Sequence, residues 1–180
     1  MSSIFNEIPR LAALISIVAT YHPRGLRVLL GEDPEPTLGE LDELLNGITG
    51  KADLGTTIDE GRLTQTALDL VCRMGPVSLT IDKAGGWDNI AASAREVKEY
   101  EPQAWNLFAE SVQWVGKGSR LENQGGHLTR IAIKYKVSAR TVLRWKEAVP
   151  RMIAKVALQG GLRVLCFCGQ SQGNSGDKAT

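Results

Sequence analysis

Apolar residues along this chain recur three and four positions apart, in blocks separated by short stretches rich in glycine, proline and charge, which is the period of helices rather than of strands. The block Leu11 to Ala19 is apolar on most faces and predicts a buried helix, with Pro9 in its first turn and an end near His22-Pro23. After a loop from Gly31 to Pro36, Thr37-x-x-Glu40 has the form of a capping box. It opens an amphipathic segment to Leu45 whose apolar face is Leu38, Leu41, Leu44 and Leu45. A third helix is expected between Thr57 and Met74, where Leu63, Ala67, Leu70 and Val71 share a face and Gly75-Pro76 ends the run. Asp88 stands where a cap should precede a helix running towards Tyr100, with Ile90, Ala94 and Val97 inward. Pro102 restarts the chain into a segment whose Trp105, Phe108, Val112 and Val115 form a core stripe.

A polar, glycine-rich stretch from Gly116 to Gly126 then leads into two short helices joined by a tight turn. Leu128, Ile131, Ala132 and Tyr135 face one way on the first; Val142, Trp145 and Val149 do so on the second. Ala132 is small where the helices should cross, and Val137 can plug the angle between them. Ser138 can cap the second helix by accepting a hydrogen bond from the Thr141 backbone N–H, and Pro150 is expected to limit that helix to about three turns. In a pair of this kind the start of the second helix is what enters a DNA major groove. Ser138, Ala139, Arg140, Thr141 and Arg144 are therefore candidate base-contacting residues. Arg140 leads them, because a guanidinium can bond guanine O6 and N7 together. Arg130, Lys134, Lys136, Lys146 and Arg151 lie around them as candidate phosphate contacts, which supply affinity and salt dependence but little sequence choice. Trp145, spaced with Val142 and Val149, belongs to the packing between the helices.

Charge strengthens this reading. The chain has 180 residues, 43% hydrophobic and 23% charged, and a formal net charge of only +1. That average hides a partition: residues 1–116 carry 9 basic and 17 acidic side chains, whereas residues 117–155 carry 10 basic and 2 acidic. So few carboxylates in this block make ordinary surface ion pairs scarce, and the basic block is suited to phosphate. The composition is that of a soluble globular chain, and the longest apolar run, Leu11 to Tyr21, is too short to span a membrane. Three cysteines and no signal-peptide pattern make a reducing cytoplasm the expected compartment. Cys166-Phe167-Cys168 lacks the second ligand pair a structural metal needs, so no metal is expected. His22 and His127 belong to no catalytic pattern and no phosphate-binding glycine loop is present, so neither an enzyme nor a cofactor is expected.

Ile131-Ala132, Val137-Ser138, Thr141-Val142 and Arg144-Trp145 match the run Ile-Ala, then Val-Ser, then Thr-Val-x-Arg-Trp of bacterial and phage helix-turn-helix regulators, which this stretch resembles. Lys136 departs from the pattern, standing where the family usually has glycine in the turn. A non-glycine residue in the left-handed conformation costs on the order of 1 kcal/mol. In size, domain order and the character of this unit, the whole chain is similar to the Q-like antitermination factors of the AlpA type. That resemblance implies binding to a DNA element in or near a promoter, engagement of paused RNA polymerase with its sigma factor, and travel with the polymerase past terminators. The other readings are a conventional dimeric repressor or activator on a palindromic operator, and a phage recombination or DNA-processing protein.

The expected fold class is mostly α: a helical N-terminal part followed by a helix-turn-helix DNA-binding unit. The repeated Gly-Leu-Arg-Val-Leu at 25–29 and 161–165 allows a short β pair. The expected organisation is an acidic helical domain over 1–116, a polar loop over 117–126, the DNA-binding region over 127–160, a strand-like return over 161–169 and a disordered tail over 170–180. The partners expected are double-stranded DNA and, through the second resemblance, RNA polymerase and its sigma factor, with no membrane.

Overall fold

A computed structural model of the chain describes residues 4–51, 76–115 and 124–159. The protein is mostly α. Among the described residues there are eight helices and no strand. They are α1 (Ile4–Tyr21), α2 (Gly25–Leu29), α3 (Leu38–Lys51), α4 (Val77–Lys83), α5 (Trp87–Tyr100), α6 (Pro102–Val115), α7 (Gln124–Tyr135) and α8 (Ala139–Gln159). None is long and apolar enough to cross a membrane.

The apolar run predicted to be a buried helix is the centre of the molecule. Leu11, Leu14, Ile15 and Val18 of α1 are fully enclosed, and the C-terminal half of α8 packs along them through Val149, Ile153, Ala154, Val156 and Ala157. Ile90, Ala94 and Val97 of α5 and Trp105, Phe108 and Val112 of α6 close the same core, as their spacing predicts. Trp105 and Phe108 meet edge to face, with ring centroids 5.6 Å apart. Two side-chain bonds tie the layers together. Trp87 donates its indole N–H to the Val28 carbonyl at 3.0 Å, and the Asn89 amide donates to the Ala157 carbonyl at 2.9 Å, satisfying a group that the end of α8 would leave open.

The capping box has the expected geometry. The Thr37 N–H donates to a Glu40 carboxylate oxygen at 2.8 Å and the Glu40 N–H to Thr37 Oγ1 at 3.1 Å. The helix it opens continues past Leu45 to Lys51, and Leu38, expected on the apolar face, is exposed.

Four local expectations are corrected. Gly25–Leu29 is a short helix and not a strand. A Cβ on Gly25 would lie 2.4 Å from the Val18 carbonyl oxygen and 2.5 Å from that of Ala19, so only glycine lets α2 start against the end of α1. Pro9 lies inside α1 rather than in its first turn. Gly86, not Asp88, occupies the cap position of α5; Asp88 falls in the first turn, where a carboxylate suits the helix dipole. Pro150 does not end the last helix, which runs on to Gln159. A buried proline in a helix interior removes one backbone bond, at about 3 kcal/mol. It is held here because Val142, Trp145 and Val149 before it and Ile153 and Val156 after it are anchored in packed clusters. The predicted helix between Thr57 and Met74, the second Gly-Leu-Arg-Val-Leu copy, the return over 161–169 and the tail over 170–180 lie outside the described residues, as does 116–123 of the polar stretch, whose last residues, Gln124–Gly126, begin α7.

Candidate nucleic-acid interface

α7 ends and α8 begins within three residues. Lys136 has a φ of 55°, the left-handed conformation that reverses a chain at a helix end. Its N–H donates to the Ile133 carbonyl at 3.2 Å and the Val137 N–H to the Ala132 carbonyl at 2.9 Å, the paired bonds of a Schellman motif. The apolar contact that accompanies this motif is also present, since Val137 and Ala132 share one cluster. Ser138 Oγ accepts the Thr141 N–H at 3.1 Å and lies 2.9 Å from Thr141 Oγ1, so the predicted cap is made.

A second, smaller core lies under the turn. Leu107 of α6, Ile131 and Ala132 of α7 and Val142 of α8 are buried in it, with Leu128, Tyr135, Val137 and Trp145 packed around them. Trp145 also touches the main core, so the unit is seated on the body of the protein through a shared side chain and a shared helix. The sequence pattern placed α6 in the body alone. In fact α6 has two apolar faces: Trp105, Phe108 and Val112 face the main core, and Leu107 faces α7 and α8.

The candidate base-contacting residues come together at the start of α8. Ser138, Ala139, Arg140 and Arg144 are exposed there, and Thr141 is half-buried with its hydroxyl against the cap. Among the described residues, no carboxylate pairs with Arg140 or Arg144. At roughly 100° per residue, Arg151 follows on the same side of the helix, and it too is exposed. Arg130 and Lys136 are exposed on the flanking α7 and turn.

The other two phosphate candidates are engaged within the protein. Lys134 forms an ion pair with Glu110 of α6, whose same oxygen accepts the Tyr135 hydroxyl at 2.8 Å. The Glu110 hydrogen bond raises the Lys134 pKa, and burial followed by that carboxylate raises the Tyr135 pKa. Lys146 is half-buried and has an interaction of its own. Sequence reasoning missed Glu110 and Leu143. Glu110 lies far upstream with no periodic signal. Leu143, 42% exposed on α8, lies between the two arginines in sequence. Comparison of the chain with protein-family models, with curated proteins and with solved structures finds no match.

Proposed function

We propose that this protein is a sequence-specific DNA-binding transcription regulator that docks the start of α8 in the major groove. The observation that supports it most is the pair Arg140 and Arg144, exposed one turn apart at a capped helix start and free of carboxylate partners among the described residues. The bland alternative is a helical hairpin whose basic residues are a solvated face; the place of these two guanidiniums at the capped start of the second helix, where guanine O6 and N7 would match them, favours docking. Arg130, Lys136 and Arg151 then meet phosphates, and Ser138 and Thr141 shape the helix start. The test is selection of duplexes from a random pool by the full-length protein. A consensus should emerge whose binding is lost in Arg140→Ala; enrichment of no sequence overturns the reading.

The proposal extends to a protein partner, RNA polymerase with its sigma factor, contacted by the acidic body while the basic unit holds DNA. The charge partition supports it, as do Glu35, Glu40, Asp42 and Glu43, exposed together along the start of α3 and the loop before it. In this reading the protein acts as an antitermination factor. A conventional dimeric repressor or activator would instead leave transcription past a terminator unchanged.

A further inference from the structure

We infer that Arg10 is the binding group of a buried oxyanion site between α1 and α4, taking the carboxylate or phosphate group of a small ligand on its Nε–H and Nη2–H. None of the residues concerned belongs to α7 or α8, so the site stands apart from the proposed DNA contact.

Arg10 is only 2% exposed, yet its guanidinium has a single acceptor among the described residues. Nη1 donates to Glu7 Oε2 at 3.3 Å, beyond the usual range for such a bond. Nε and Nη2 are sealed from solvent and have no partner. These two are not an arbitrary pair. Nε–H and one Nη2–H leave the planar guanidinium in parallel, forming the side-on fork that receives both oxygens of one carboxylate or two of a phosphate. Glu7 does not supply those oxygens: its Oε2 is on Nη1, and its Oε1 accepts from Lys83 Nζ at 2.8 Å.

The surroundings agree with an anion. Glu7, itself buried, is shared by two cations, so the Glu7, Arg10 and Lys83 group holds one positive charge that no described carboxylate balances. On α4, which packs against α1, the buried Thr80 also has an Oγ1 without a partner. Arg10 and Thr80 each lie one turn from the Glu7–Lys83 contact, on the two packed helices. A buried donor of a charged group costs more to leave unpaired than a neutral one. An arginine kept only for packing would be better replaced by an apolar residue, since Glu7 and Lys83 remain a neutral pair without it. Water would satisfy the donors and leave the charge unbalanced. An oxyanion does both. Lys83 is the member of the group that reaches solvent, and it marks the side from which the ligand enters.

The experiment uses the full chain and follows the Arg10 Nε–H resonance by proton–nitrogen NMR. Sodium phosphate or sodium acetate is titrated in, with sodium chloride adjusted to hold ionic strength constant. The resonance should move saturably with at least one of them. A response to acetate alone assigns a carboxylate ligand, and a response to phosphate assigns a phosphoryl group; no response to either overturns the inference. In urea titrations, the active anion at ten times its dissociation constant should raise the folding equilibrium constant of the wild type about tenfold. Arg10→Lys keeps the charge but not the fork and should respond by less than about twofold. Arg10→Met should be at least as stable as the wild type in chloride and lose the response, because it deletes the unpaired donors and leaves the Glu7–Lys83 pair. An anion response undiminished in both variants overturns the inference whatever their stabilities. The double variant Arg140→Ala with Arg144→Ala should keep the full response; its loss there would place the anion on the candidate DNA face instead and equally overturn the site.

Discussion

Arg140 and Arg144 differ from the other described cations of the basic block in that they lie in the first turns of α8, where the proposed docking would make a lost contact a lost base preference. Arg140→Ala and Arg144→Ala should each weaken binding to the selected site by about 1–3 kcal/mol and relax specificity at one position, as read by titration against single-base variants. Arg130→Ala should weaken binding to every sequence alike. Lys134 behaves differently because Glu110 occupies it. A lysine whose pKa is raised by its partner gives a pair that is complete below the ordinary lysine range and is lost as pH rises through the raised value, so at neutral pH the pair is intact. It therefore competes with phosphate. Glu110→Gln should raise non-specific affinity and steepen the dependence of log affinity on log salt by about one; an unchanged slope would show that Lys134 faces no phosphate. The arginines were legible in the sequence because cap and spacing fix them locally. The Lys134 pairing was not, since it depends on a carboxylate brought in by tertiary packing.

Within the elements, the turn between α7 and α8 carries its own strain. Lys136 holds φ at 55° without glycine, and Lys136→Gly should remove up to about 1 kcal/mol of that strain and raise the melting midpoint, while Lys136→Ala should not. Ser138→Ala should cost about 1 kcal/mol by opening the cap, measured by urea titration. Helix period and caps made most of the described fold readable: the buried block of α1, the Thr37-Glu40 box and the stripe of α6 all lie where local rules put them. What local rules mis-stated were the proline and glycine positions. Pro150 reads as a stop only if its helix must end in solvent, and packing on both sides of it reverses that outcome. Gly25 reads as a loose strand start until the carbonyls of α1 are close enough to exclude any side chain. The cause of each lies in another helix, so neither could be inferred from its own neighbours.

For the whole molecule, the decisive fact is that α8 serves both the candidate interface and the main core, with Val142 in the small cluster and Ile153 in the large one. Ile153→Ala removes a fully buried side chain from the body and should cost about 2–5 kcal/mol. Because the helix is shared, circular dichroism and tryptophan fluorescence should report one coincident unfolding transition, shifted as a unit; two separated transitions would mean that interface and body fold independently. Rigid connection also bears on function, since a DNA-bound α8 then fixes where the acidic α3 surface points. A protein that only occupied an operator gains nothing obvious from that fixed placement of negative charge beyond solubility, whereas one that presents a surface to polymerase standing beside its DNA element would use it. Transcription in vitro on a template with the selected site near the promoter and an intrinsic terminator downstream separates these cases. Purified protein should raise readthrough without raising the number of initiated transcripts, and removing the DNA site should abolish the effect. Reversing charge at Glu35, Asp42 and Glu43 should abolish readthrough while DNA affinity is retained, because these residues lie on α3 and the loop before it, outside the elements that build the candidate interface. A change in initiation alone, insensitive to those substitutions, would assign the protein to repression or activation and leave the acidic surface a means of keeping the body in solution.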